Sequence, residues 1–225
     1  MMNLFLSFII IVIFHGASRS VNPSKIHRPK TCREVFDSGL GDEDGSYWIN
    51  PSQGDEKYMI LADCKLKTRE TCVSSHPYSS KKFDISGAKS EVWLGKRHPS
   101  YQIAYRADDN QLRMLQQMSK YATQTITYHC KNVIVYYDSI NKNFEKSVKL
   151  LGWNNDEITP QNLSNLQFMS GYDNCQHINH LHSSETRITY STNVPSQLPI
   201  TDIAVRDVGR PRQYIYVDIE PVCYL

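Results

Sequence analysis

DIEPVCYL, residues 218–225, closes the sequence and places a cysteine at position 223. Final residues ordinarily fray, because they make too few contacts to repay the entropy of ordering them. A cysteine in such a place asks for a partner elsewhere in the chain. The reading of the fold therefore turns on the other cysteines and on the compartment in which they sit.

That compartment is indicated by the other end. MMNLFLSFIIIVIFHGAS, residues 1–18, carries an almost unbroken apolar run from Leu4 to Phe14, followed by the small residues Gly16, Ala17 and Ser18. The pattern predicts a secretory signal peptide over residues 1–18, although no Lys or Arg precedes the run. The run is too short to span a bilayer and no second apolar stretch follows, so a membrane anchor is not expected. All six cysteines, Cys32, Cys64, Cys72, Cys130, Cys175 and Cys223, lie in the exported part, where an oxidising compartment favours pairing. Six cysteines allow fifteen pairings, and spacing alone does not choose among them. There is no CxxC pair, so a zinc site from these thiols is not expected. A disulfide framework is the natural reading, with Cys223 held by a covalent bond.

Removal of the signal leaves roughly 205 residues, enough for one sizeable core. The formal net charge is +2, and the basic stretches SKIHRPK (24–30) and KLKTRE (65–70) are short and lack interleaved aromatics. Neither nucleic acid nor membrane is expected as a partner. Residues 19–31 are polar, with Pro23 and Pro29, and read as a leader; residues 32–225 read as the domain. A turn-rich loop leads into an expected strand from Tyr58 to Ala62, and SSHPYSSKKFDISGAKS (74–90) reads as surface loops. Leu112, Leu115, Met118 and Tyr121 recur every three residues and predict a helix from about Asn110 to Thr123, with Asp108, Asp109 and Asn110 offering its N-cap. Beyond it, TITYHC, NVIVYYD, SVKLLGW, TRITYS and QYIYVDI are rich in β-branched and aromatic residues and predict strands, with NLQF as a further one. The class is α+β, strand-rich in its second half. No Gly-X-Y stretch occurs, and ten glycines do not support a collagen helix.

Candidate chemistry is sparse. His177, His180 and His182 fall within six residues, a metal site if a turn gathers the imidazoles, and otherwise a polar loop. No HExxH, GxSxG, P-loop or GxGxxG is present, so no enzyme is expected. INPSQGDEKY (49–58) gathers Asn, Ser, Gln and Asp oxygens of the kind calcium takes, but its carboxylates are only Asp55 and Glu56. On these residues alone an ordinary Asn-Pro turn reads as well.

Taken in order, YWINPSQG (47–54), EVWLG (91–95), MSKYATQTITYHCKN (118–132), LPITDIAVRDVG (198–209) and PVCYL (221–225) resemble the C-terminal propeptide domain of fibrillar procollagens, from Cys32 to Leu225. The resemblance implies an extracellular module that brings three chains together, with a fibrinogen-related α+β base, a petal region and a calcium ion near the chain–chain contact. That pattern has eight cysteines. The two missing here fall at Ser38 and Asp55 and are the family's interchain pair. The remaining six imply Cys32 joined to Cys64, Cys72 to Cys223 and Cys130 to Cys175. The family's calcium ligands map onto Asn50, Ser52, Gln53, Asp55 and Tyr58, where the pattern expects Asp, Asn, Gln, a Cys carbonyl and Asp. Two carboxylates are replaced, which implies a weakened calcium site. The family's glycosylation sequon is absent, since Thr125 stands where Asn is expected. Asn162-Leu163-Ser164 is another acceptor, while proline blocks the sequons at Asn22 and Asn50.

With no collagen helix in the sequence, the chain, unless a fragment, forms no fibril of its own. The expectation is a secreted, non-enzymatic extracellular-matrix structural or assembly module that associates without interchain disulfides, as a trimer with itself or with collagen-type chains. The alternative is a free-standing secreted recognition domain that kept the scaffold.

Overall fold

The computed structural model of the chain describes residues 28–76, 82–162, 166–177 and 182–225. The expected signal peptide and residues 19–27 of the expected leader lie outside these residues. Thr31 opens the first helix, α1 (Cys32–Asp37), and its hydroxyl accepts the N–H of Glu34, satisfying one of the donors a helix start leaves unpaired. Three strands follow, β1 (Gly45–Ile49), β2 (Ile60–Lys65) and β3 (Glu70–Val73). After β4 (Phe83–Asp84) and β5 (Val92–Trp93) come the one-turn helix α2 (Leu94–Arg97) and the longer α3 (Asp109–Met118). The second half runs β6 (Ala122–Lys131), β7 (Lys149–Gly152), β8 (Glu157–Ile158), β9 (Leu166–Asp173), β10 (Ser184–Thr192), β11 (Ile200–Val205), β12 (Tyr214–Ile219) and β13 (Val222–Tyr224).

The strands form two antiparallel sheets. The larger has nine strands, in the order β1-β2-β3-β13-β6-β10-β9, with β12 pairing both β6 and β4; the smaller runs β5-β11-β7-β8. With three short helices, the architecture is mainly β, in keeping with a disulfide-stapled α+β domain in that coarse form. The long strand β6 organises the larger sheet. One of its edges carries β10, from Thr192 opposite Ala122 to Ser184 opposite Cys130. Its other edge is shared by two strands in succession, β12 opposite Ile126 to Lys131 and β13 opposite Ala122 and Thr123. Pro221 lies at the changeover, where a residue without an N–H interrupts the ladder least. The N–H of Glu220 still reaches Thr125 O at 3.0 Å.

The stretch DIEPVCYL is thus the end of β12, a kink and an interior strand. Tyr224 is buried, and its hydroxyl donates to Leu198 O at 3.1 Å. Leu225 exchanges backbone hydrogen bonds with Tyr121 and also accepts from the Lys120 N–H. Between the two sheets a closed polar relay satisfies buried groups. Gln124 donates through Nε2 to the Tyr105 hydroxyl at 2.7 Å, that hydroxyl donates to Ile200 O at 2.8 Å, and Ile200 N–H returns to Gln124 Oε1 at 2.9 Å. Burial pushes the Tyr105 hydroxyl pKa well up, so it stays a donor. Nearby, the fully buried Tyr128 and Tyr190 share a hydroxyl–hydroxyl hydrogen bond of 2.6 Å.

Several expectations are corrected. The helix begins where read, with Asp108 and Gln111 forming a capping box, but it ends at Met118 rather than Thr123. The amides of Lys120 and Tyr121 are taken by the Leu225 carbonyl, and Ala122 already belongs to β6. A three-residue spacing also drifts about 60° per step around a helix of 3.6 residues per turn, which is why Leu112 and Leu115 are buried while Met118 is exposed; Tyr121, exposed too, lies beyond the helix. NVIVYYD is not a strand. Asn132 turns the chain with a left-handed φ of 58°, Ile134 N–H goes to the Asp207 carboxylate at 2.7 Å, and Val135 is tied to Val148 only through its carbonyl. The strand expected from Tyr58 starts at Ile60, because Glu56–Tyr58 form a 3-10 turn.

Candidate functional site in the 50–58 loop and its disulfide frame

The loop leaves β1 at Ile49 and returns through the 3-10 turn into β2, so the meander of β1 and β2 holds both its ends. Three disulfides frame it. Cys32 is joined to Cys64, tying α1 to β2; Cys72 to Cys223, tying β3 to β13; and Cys130 to Cys175, tying the end of β6 to the segment after β9. Cys72 and Cys223 stand directly opposite each other in the ladder, with Cα atoms 4.0 Å apart. No described cysteine is free. Ser38, at the end of α1, and Asp55, in the loop, are both exposed.

Within the loop, Asn50 is buried and both ends of its amide are engaged. Nδ2 donates to Gly54 O at 2.8 Å, and Oδ1 accepts from the Ser52 hydroxyl at 3.1 Å. Its backbone N–H donates to Pro29 O at 2.8 Å. Gln53 adopts a φ of 54° and donates through Nε2 to both Asn50 O and Arg28 O, each at 3.0 Å. Glu56 is ion-paired with Arg28. Tyr58 is exposed, and its carbonyl accepts from Gln111 Nε2 at 2.6 Å, which fastens the loop to the first turn of α3. Beside this junction lies an open cleft of about 610 Å³ lined by Ser52, Gly54, Tyr58, Asp108, Asp109, Asn110 and Gln111.

Calcium takes six to eight oxygens, with carboxylates prominent among them. Of the mapped set only Asp55 carries a carboxylate, which is exposed and 3.9 Å from Lys57 Nζ. The Asn50 amide makes one donor and one acceptor bond within the loop. With a single carboxylate among them, the mapped residues fit calcium poorly. Among the described residues, the one gathering of three His, Cys or carboxylate ligand atoms is Glu70 with Cys72 and Cys223, and that pair of sulfurs is committed to a disulfide. His177 and His182 are exposed, while His180 lies outside the described residues. Asn162 is exposed in a tight turn closed by its N–H to Thr159 O at 3.0 Å; the rest of its sequon, Leu163 and Ser164, lies outside the described residues.

Sequence reasoning passed over several side chains that hold the frame. Asp202, in the LPITDIAVRDVG stretch, accepts the N–H groups of Gly95 and Ile203 at 2.8 Å each and so caps α2. A Cβ at position 95 would lie 3.0 Å from its Oδ1, which accounts for the glycine of EVWLG. Asp207, also buried, receives Ile134 N–H and the Arg210 guanidinium. On the outer face of the larger sheet His129 stacks on Tyr216 at 4.1 Å between Asp218 and Glu185. The Asp-rich segment itself is the legible signal, but only the fold supplies its partners.

Fold and loop together define a disulfide-stapled, β-rich module of the kind oxidising compartments favour. The chain belongs to the fibrillar collagen C-terminal domain family, whose model matches residues 18–224. It is similar to a collagen alpha-2(I) chain of Oncorhynchus mykiss, 37% identical over 213 residues that cover 89% of this chain and 16% of that protein. A collagen alpha-2(I) chain of Oryctolagus cuniculus is 34% identical over 212 residues, 89% of this chain and 40% of the relative. A collagen alpha-1(II) chain of Xenopus tropicalis is 36% identical over 220 residues, 92% and 15%. The chain therefore spans well under half the length of each of these relatives. No helix among the described residues is long and apolar enough to cross a membrane.

Proposed function

We propose that the protein is an extracellular structural or assembly module of the collagen type, non-enzymatic, which associates noncovalently with itself or with collagen-type chains. The observation that carries this reading is the family match over nearly the whole chain, combined with six cysteines all paired within it. Cysteine is the side chain that forms interchain disulfides, and the positions where the family places that pair are Ser38 and Asp55. Assembly therefore rests on surface contacts that offset roughly 4 to 15 kcal/mol of lost translational and rotational freedom. The reading includes a signal peptide over residues 1–18, glycosylation at Asn162, and a fibrinogen-related base with a petal. Calcium plays a weak part at most, because the loop offers a single mapped carboxylate.

The replacement of the interchain cysteines also favours a second reading, a free-standing secreted recognition domain. Light scattering on the secreted protein, with a nonreducing gel, separates the two. A dissociable trimer with a single monomer-mass band on the gel is the expected result. A monomer at every concentration supports recognition instead, and a reducible trimer band overturns the noncovalent assignment.

A further inference from the structure

The 50–58 loop is braced by hydrogen bonds of its own and by contacts to the residues just before α1. Its turn contains a non-glycine residue, Gln53, at a φ of 54°, a conformation that L side chains enter only when surrounding bonds enforce it. Those bonds come from two places. The Asn50 amide crosses the loop, giving a hydrogen to Gly54 O and taking one from Ser52. The other brace is remote in sequence: the Arg28 carbonyl accepts from Gln53 Nε2, and the Arg28 guanidinium pairs with Glu56. Its neighbour Pro29 is buried and accepts the Asn50 N–H. The Arg28 side chain is 23% exposed and Glu56 is 74% exposed, so the guanidinium lies along the loop and meets its partner at the solvent edge.

We infer that Asn50 and Arg28 are the loop's built-in substitute for a bound cation, the amide organising the oxygens from within and the guanidinium supplying the positive charge. Residues 28 and 29 then belong to the folded module, not to a leader, and the loop keeps its conformation in the absence of any metal. This holds whether the chain is a monomer or a trimer.

The test is hydrogen exchange on the full secreted chain, followed at residues 50–58 and at β6, with calcium and with a chelator. Equal protection of the loop in both conditions is expected, and calorimetry should detect no calcium binding tighter than about millimolar, the range of weak extracellular sites. Asn50→Ala and Arg28→Ala should each speed exchange in the loop about tenfold, which corresponds to about 1.4 kcal/mol of local opening, while β6 is unchanged. Arg28→Lys, which keeps the charge, should recover part of the loss. Should a variant fail to be secreted, the calcium arm on the unmodified chain still decides the matter. Loop protection that collapses on chelation, micromolar calcium affinity, or an Arg28→Ala loop indistinguishable from the original would overturn the inference.

Discussion

Removing the Cys72–Cys223 bond, by changing both residues to alanine so that no free thiol remains, should be the most damaging single disulfide deletion in the molecule. The two positions are 151 residues apart in sequence, against 32 for Cys32–Cys64 and 45 for Cys130–Cys175. In the chain-entropy account a loop of the longest size restrains the unfolded ensemble by roughly 5 kcal/mol and the shortest by roughly 3.7 kcal/mol, a difference of about 1.4 kcal/mol. Because domains are stable by only about 5 to 15 kcal/mol, the loss removes about a third or more of that margin. The native pairing of Val222 with Val73 and Tyr224 with Thr71 still specifies the strand, so the effect acts on the unfolded state. Guanidinium denaturation of the three double-alanine variants, with midpoints and slopes both fitted, measures the ranking. A Cys72/Cys223 variant as stable as the Cys32/Cys64 variant would refute the entropic argument and place the stabilisation in the native state.

Two further outcomes follow from buried polar groups. Tyr190→Phe leaves the buried Tyr128 hydroxyl without its 2.6 Å partner and should cost about 1 to 3 kcal/mol, whereas replacing both tyrosines by phenylalanine should cost less than the sum of the single changes; strict additivity would sink the idea. Burial raises the Asp138 carboxyl, but the Asn141 side-chain and backbone donors and Lys146 outweigh it and hold the pKa down at about 2, below its ordinary 3.8. A depressed carboxyl stabilises the fold above its unfolded value and loses that contribution as pH falls from about 4 to about 2. Acid titration of Asp138→Asn should therefore show a shallower loss of stability across that window, and an unchanged slope would contradict it.

What could be read in advance follows the range of the interactions. β6 and β10 are legible because ITY-type runs of β-branched and aromatic residues carry their own preference, and the start of α3 is legible because Asp108 and Gln111 lie three residues apart. The end of α3 is not, since it is decided by the Leu225 carbonyl, more than a hundred positions away. NVIVYYD has strand composition, but Asn132 and the Asp207 carboxylate redirect its backbone, and β13 is too short and too close to Pro221 to be seen. In the candidate loop the oxygen-rich composition is visible from the residues alone. That the Asn50 amide turns inward, and that Arg28 closes on Glu56 from across 28 positions, depends on three-dimensional approach and leaves no local trace.

The placement of β13 has a consequence for how the molecule is made. β3 and β6 have no ladder between them except through this strand, so a chain in which β13 is not yet placed holds two separate ribbons, β1-β2-β3 on one side and the β6 group on the other. Their union waits for a strand whose Cys223 lies 151 residues beyond Cys72, and such long-range pairing is intrinsically slow. Until it arrives, facing edges of both ribbons stand open to other chains, the condition in which strands are most readily captured by the wrong partner. Folding therefore has one decisive closing step, the insertion of Val222, Cys223 and Tyr224 and the oxidation that locks them in.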